Sequence, residues 1–158
     1  MANIIETELA WMAGFFDGEG SIMLGAYLQD NGNHHFKRRI CVVNTNTEVL
    51  KVFQRCFGGS IHRRRCLEKR EDFKNSKPTY EWALHSKDSA YFIGEMIPYL
   101  KLKKCQADLF MDYDHWLNSC PIWGRKGANK NEKTRESLDA RLYLVETMHK
   151  LNKRGKSG

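Results

Sequence analysis

The residues whose types and spacing best suit chemistry lie near the start of the chain, in Met12–Gly20 (MAGFFDGEG). Gly14 and Gly18 stand four apart, so on a helix they form one bare stripe against which a second helix can pack closely. Each glycine inside a helix costs about 1 kcal/mol relative to alanine, and close packing would offset that. Glu19 falls at the C-terminal end of such a helix, where the macrodipole disfavours an anion. Two crossing copies would bring two carboxylates together at their unfavourable ends. A divalent cation resolves that conflict, and Mg2+ suits carboxylate, carbonyl and phosphate oxygens. The same residues also read as an ordinary amphipathic helix followed by a glycine-rich turn. A second feature is the cationic run Lys101–Lys104, which by composition reads as a solvated basic patch.

Other metal chemistry is poorly supported. Cys41, Cys56, Cys66, Cys105 and Cys120 are odd in number and include no CxxC pair, so neither a disulfide framework nor a zinc ribbon is encoded. Buried thiols in a reducing compartment fit better. His62 and Cys66 could share a strand face, but two ligands do not make a site.

The elements that would position these groups follow from the pattern. Thr7 can cap a helix over Glu8–Asp17, which the Gly18–Gly20 segment ends. Strand-like runs follow at Ser21–Gln29 and Phe36–Asn44, joined by a turn-rich Asp30–Asn33. Asn46 or Thr47 caps a second helix with Val49, Val52, Phe53, Cys56 and Phe57 on one face, and Gly58-Gly59 stops it. Strands at Ser60–Leu67 and Thr79–His85 flank the charged loop Glu68–Pro78. A third helix then runs from Ser86 to Ile97, where Pro98 breaks it. Lys103–Leu117 and Thr134–Asn152 read as helices around a loop at Pro121–Lys130.

This is an α+β chain: an αββαββα core with a four-stranded antiparallel sheet, helices on one face, and further C-terminal helices. Residues 1–152 form one expected domain and 153–158 a basic tail. The open sheet face is expected to carry Tyr27, Gln29, Arg38, Arg63 and Arg65, either as a solvated surface or as a set of hydrogen-bonding and cationic groups for a DNA groove.

Composition agrees with a polyanionic partner. The 158 residues suit a single domain, and 26 Lys+Arg against 19 Asp+Glu leave a net charge of +7. A mean hydropathy of −0.62 fits a soluble globular protein. No apolar run approaches the roughly 20 residues needed to cross a membrane. No secretory or transit peptide is visible, so the expected protein is not secreted.

The Met12–Gly20 segment resembles the signature of the LAGLIDADG homing endonucleases, and the αββαββα order is similar to that family's core. Tyr99–Leu109 (YLKLKKCQADL) is similar to the LKLK-x-x-QA segment of its homodimeric, organelle-intron-encoded members. Asn131–Arg135 before a terminal helix is similar to their C-terminal DNA-contacting loop. The resemblance implies a saddle-shaped sheet over the major groove and a homodimer joined through Trp11, Gly14 and Gly18, since only one motif copy is present. It implies a long pseudo-palindromic double-stranded DNA target and no membrane partner.

Glu19 then aligns with the acidic metal ligand, with the Gly18 carbonyl as a further ligand, for Mg2+ with Mn2+ as a substitute. Lys103 aligns with the basic active-site residue. Thr45 aligns with the water-positioning residue, in place of a glutamine and between Asn44 and Asn46. Asp17 is expected to be structural. Lys133, Thr134 and Arg135 would contact DNA. The implied setting is a chloroplast or mitochondrion, or else a prokaryotic cytoplasm. Two other readings stand beside the nuclease: a non-catalytic binding protein such as an intron RNA maturase, and a histidine-based nuclease using Asp112, Asp114 and His115.

Overall fold

The computed structural model describes residues 4–30, 32, 34–64, 77–119 and 132–153, with side chains omitted at 119 and 132–135. The expected loop at Pro121–Lys130, Arg65, most of the Glu68–Pro78 loop and nearly all of the basic tail lie outside the described residues, as do the side chains of Lys133, Thr134 and Arg135. Among the described residues the order is α1 (Glu6–Glu19), β1 (Gly20–Leu28), β2 (His34–Asn44), α2 (Thr47–Phe57), β3 (Ser60–Arg63), β4 (Tyr80–His85), α3 (Ser86–Met96), α4 (Lys104–Ser119) and α5 (Glu132–Asn152). This is the expected αββαββα core followed by two helices.

The caps explain where the helices begin and end. Asn46 accepts from the Glu48 backbone N–H at 3.0 Å and starts α2. Helix α1 instead begins one residue before Thr7, after Ile5, with no side-chain cap. Gly58 and Gly59, at φ of +72° and +83°, turn α2 into β3. A Cβ on Gly59 would lie 2.6 Å from the Ala83 carbonyl, so that turn also needs the missing side chain.

The four strands form one antiparallel sheet in the order β1-β2-β4-β3. The register puts Ile22 opposite Ile40 and Gly20 opposite Val42, then Ile40 opposite Leu84 and Val42 opposite Trp82. The side chains of Ile22, Ile40, Val42, Trp82 and Leu84 share one face and are almost wholly buried. Helices cover them with an aromatic cluster: Phe53 lies 5.0 Å and Phe92 5.3 Å from Trp82, and Phe16 lies 5.0 Å from Phe92.

Helix α5 closes the free edge of β1. Asn152 donates to the Ile22 carbonyl at 2.8 Å, and His149 Nε2 donates to the Leu24 carbonyl at 3.1 Å. At the other edge β3 is only four residues long. Both are ordinary ways to protect a sheet margin.

Candidate active site and nucleic-acid interface

The chemistry of the N-terminal motif is organised by Asp17. It is the acidic residue that α1 buries, at 7% exposure. Its carboxylate accepts three backbone N–H groups, from Lys101 (2.6 Å), Leu102 (3.1 Å) and Lys103 (3.0 Å). Burial alone would raise its pKa, but those three bonds and the Lys103 charge outweigh it and hold the group below the usual aspartate value. Asp17 is thus a clamp that fixes the segment before α4 onto the end of α1. The Lys103 ammonium in turn donates to the Asp17 backbone carbonyl, one of the carbonyls left open where α1 ends.

Glu19 is the last residue of α1 and is exposed. The structure therefore brings Lys103 to the helix end that carries Glu19. Thr45 lies at this same end of the sheet, because Gly20, next to Glu19, pairs with Val42. Asn44 accepts from the Asn46 N–H at 2.8 Å and Asn46 caps α2, so both flanking side chains are engaged in backbone bonds while Thr45 is exposed between them. A cavity of about 530 Å3 opens beside Lys103, lined by Asp17, Gly20, Ser21, Met23, Lys103 and Gln106 among others; Glu19 and Thr45 do not line it. On the outer side of α1, Trp11 is 46% exposed, and a Cβ added at Gly14 or Gly18 would meet nothing within 4 Å.

The sheet face away from the helices carries the odd-numbered residues of β1, β2 and β4. Tyr27 sits opposite His35 with ring centroids 4.8 Å apart, and Lys37 Nζ lies 5.0 Å from the Tyr27 ring centre. Arg39 is ion-paired with Glu81, and Arg64 Nε lies 3.9 Å from the same carboxylate. His62 is opposite Glu81, and His85 is opposite Arg39. Burial and the Arg39 and Lys37 charges hold the His85 pKa below its ordinary value, with Glu81 partly opposing them. Burial and Glu81 push the Cys41 thiol up to about 11, so it is a packed thiol and not a nucleophile. Lys37, Arg39 and Arg64 against Glu81 leave this face positive. A second cavity, of about 540 Å3, is lined by His35, Lys37, Arg39, His85 and Ser86 among others.

Two expected members of this face are elsewhere. Arg38 pairs with Leu24 and so points to the helix side, where it is ion-paired with Asp114 of α4 and only 11% exposed. That pairing also removes Asp114 from any independent catalytic cluster. Arg63 lies opposite Tyr80, on the Trp82 side of the sheet, and is exposed near its end. Gln29 is exposed in the turn after β1, where its carbonyl accepts from Gly32 at 2.9 Å. The residues missed are Lys37, Arg39, Arg64 and the three histidines. Their signal was present: Phe36, Ile40 and Val42 alternate inward, which sends 37 and 39 outward.

No protein-family model matches the sequence, and no curated protein sequence does either. Solved structures match it over nearly its whole length. The homing endonuclease I-CvuI, in complex with a DNA target, superposes with a TM-score of 0.71 at 21% identity, covering 97% of this chain and 87% of that one. I-Vdi141I, an archaeal intron-encoded homing endonuclease complexed with DNA, gives 0.71 at 17% identity over 95% and 87%. I-SmaMI, a LAGLIDADG homing endonuclease bound to cleaved DNA, gives 0.67 at 15% identity over 96% of this chain but 47% of that one. The fold of this chain is therefore the LAGLIDADG homing endonuclease fold. In length it resembles I-CvuI and I-Vdi141I, not the roughly twofold longer I-SmaMI.

Proposed function

We propose that this protein is a site-specific, double-stranded DNA endonuclease that acts as a homodimer on a pseudo-palindromic target. The observation that carries the reading is the Asp17 clamp, which places Lys103 at the Glu19 end of α1. The open Gly14/Gly18 stripe supports pairing of two α1 helices. Among the described residues of one chain, no group of three or more His, Cys, Asp or Glu side chains could hold a metal ion. A two-chain site supplies what one chain lacks, a second Glu19 carboxylate. These donors, with the Gly18 carbonyls, fit Mg2+, and Mn2+ would substitute.

Bound there, a divalent ion would lower the charge barrier to attack on a phosphodiester. The chain's own residues do the rest. Lys103 stabilises charge developing on the scissile phosphate. Thr45 orients solvent, the side chains of Asn44 and Asn46 being engaged elsewhere. Tyr27, Lys37, Arg39 and Arg64 face the major groove, with Gln29 at the strand end and Lys133, Thr134 and Arg135 on the flanking backbone.

A random-target cleavage selection with and without Mg2+ tests this, followed by Glu19→Gln on the selected target. The variant should bind as the parent does and cleave roughly 100-fold or more slowly. A parent that binds DNA but cleaves nothing would instead indicate a binding protein such as a maturase. Equal cleavage by parent and variant would refute the Glu19 assignment.

A further inference from the structure

Gln106 lines the cavity at the end of α1, and its position in α4 leaves its carboxamide without the usual work. The Lys103 carbonyl accepts the first bond of α4, from the Ala107 N–H at 2.9 Å, so Lys103 is the N-cap and Gln106 the third helical residue. A glutamine there ordinarily reaches back to the N-cap N–H. Here that N–H already donates to Asp17 at 3.0 Å. Gln106 is half-buried, and its side chain hydrogen-bonds to no described residue. Lys103, Ser21 and Gly20 line the same cavity. The Asp17 carboxylate is also there, but three backbone N–H groups occupy it. Ser21 and Met23 belong to the open sheet face, so the cavity is continuous with the surface proposed for DNA.

We infer that Gln106 is a further residue of the cleavage site, its Nε2 donating to a non-bridging oxygen of the DNA phosphate beside Lys103. The inference rests on the nuclease reading and adds a contact to it. A carboxamide donor complements Lys103 because it fixes direction, whereas an ammonium on a flexible stem acts as a point charge.

Gln106→Glu and Gln106→Met test it. Glutamate keeps the shape but replaces the donor with an anion, which the first turn of a helix favours. A purely structural Gln106 therefore predicts an unchanged or higher melting temperature and normal cleavage for Gln106→Glu. The contact predicts the opposite for activity. At saturating target, single-turnover cleavage should fall roughly 100-fold in Gln106→Glu and about tenfold in Gln106→Met. Target affinity without divalent ions should stay within about threefold, and neither melting temperature should drop by more than about 2 °C. Cleavage by both variants within twofold of the parent overturns the inference. So does a loss of cleavage matched in both by a loss of thermal stability, which would make Gln106 a structural residue. A parent that binds without cleaving would defeat the nuclease reading itself, an outcome distinct from either.

Discussion

Arg38 and Arg39 are neighbours in the chain and opposites in the molecule. Arg38 points under the sheet to Asp114, at 11% and 15% exposure, while Arg39 lies on the open face at 34% with its partner Glu81 at 13%. Both are arginines paired to a carboxylate, so residue type does not separate them. Strand alternation does, and only one of the two can reach a groove. On the covered face an ion pair is a packing element whose loss strands a charge away from water. On the open face it is a surface whose carboxylate a polyanion can displace.

The largest effect should come from breaking the covered pair. Arg38→Ala leaves Asp114 without its partner and should cost about 3–5 kcal/mol in denaturant unfolding. Replacing both residues with apolar ones of similar volume should recover most of that loss. Base preference, measured under folding conditions, should not change. If Arg38→Ala altered preference at particular base pairs while stability held, the assignment of faces would be reversed.

The Asp17 clamp comes next. Asp17→Asn removes a charged acceptor of three backbone bonds and should cost about 2–3 kcal/mol. The acid limb should change as well. The folded pKa of Asp17 is lowered, so its contribution is complete above the ordinary aspartate value and disappears as pH falls through the folded one. The difference between parent and variant should therefore shrink in acid, as unfolding curves across pH 2–5 would reveal.

On the open face, Lys37→Ala or Arg39→Ala should shift base preference by roughly 1–3 kcal/mol per lost bidentate contact. Stability should move by less than about 1 kcal/mol. An unchanged preference profile in both would remove the sheet from target reading. The smallest effect concerns His85. Its folded pKa is depressed, so the unfolded chain binds the proton more readily. Stability should rise slightly with pH from the folded pKa up to about 6.5, and His85→Ala should remove that slope.

Much of the fold was legible because local rules acted alone. Asn46 capping α2 and Gly58-Gly59 ending it need only neighbouring residues, and the alternation of Ile22 and Leu24 needs only one strand. The face of Arg38 was misread although its own strand carries the signal, since residue 38 shares the parity of the inward Phe36, Ile40 and Val42, and the pairing with β1 agrees. With Leu28 opposite His34, even-numbered residues pair with even ones, and the hairpin connection sets that parity. Asp17 was recognised as structural, but its partners lie 84–86 residues away and no local pattern names them. Lys103 was distinguishable from Lys101 and Lys104 only through resemblance. Geometry separates it by the bond to the Asp17 carbonyl.

The bonds from α5 to β1 have a consequence in time. Ile22 and Leu24 meet Asn152 and His149 across separations of 130 and 125 residues. At a synthesis rate of about 5–20 residues per second, the margin of the first strand stays uncovered for roughly 6–25 s after that strand is made. Throughout that interval a nascent chain offers its neighbours on a polysome a ready strand template. Ribosome-stalled chains ending before α5 should accordingly associate through this strand margin, while released full-length chains should not associate beyond the proposed dimer.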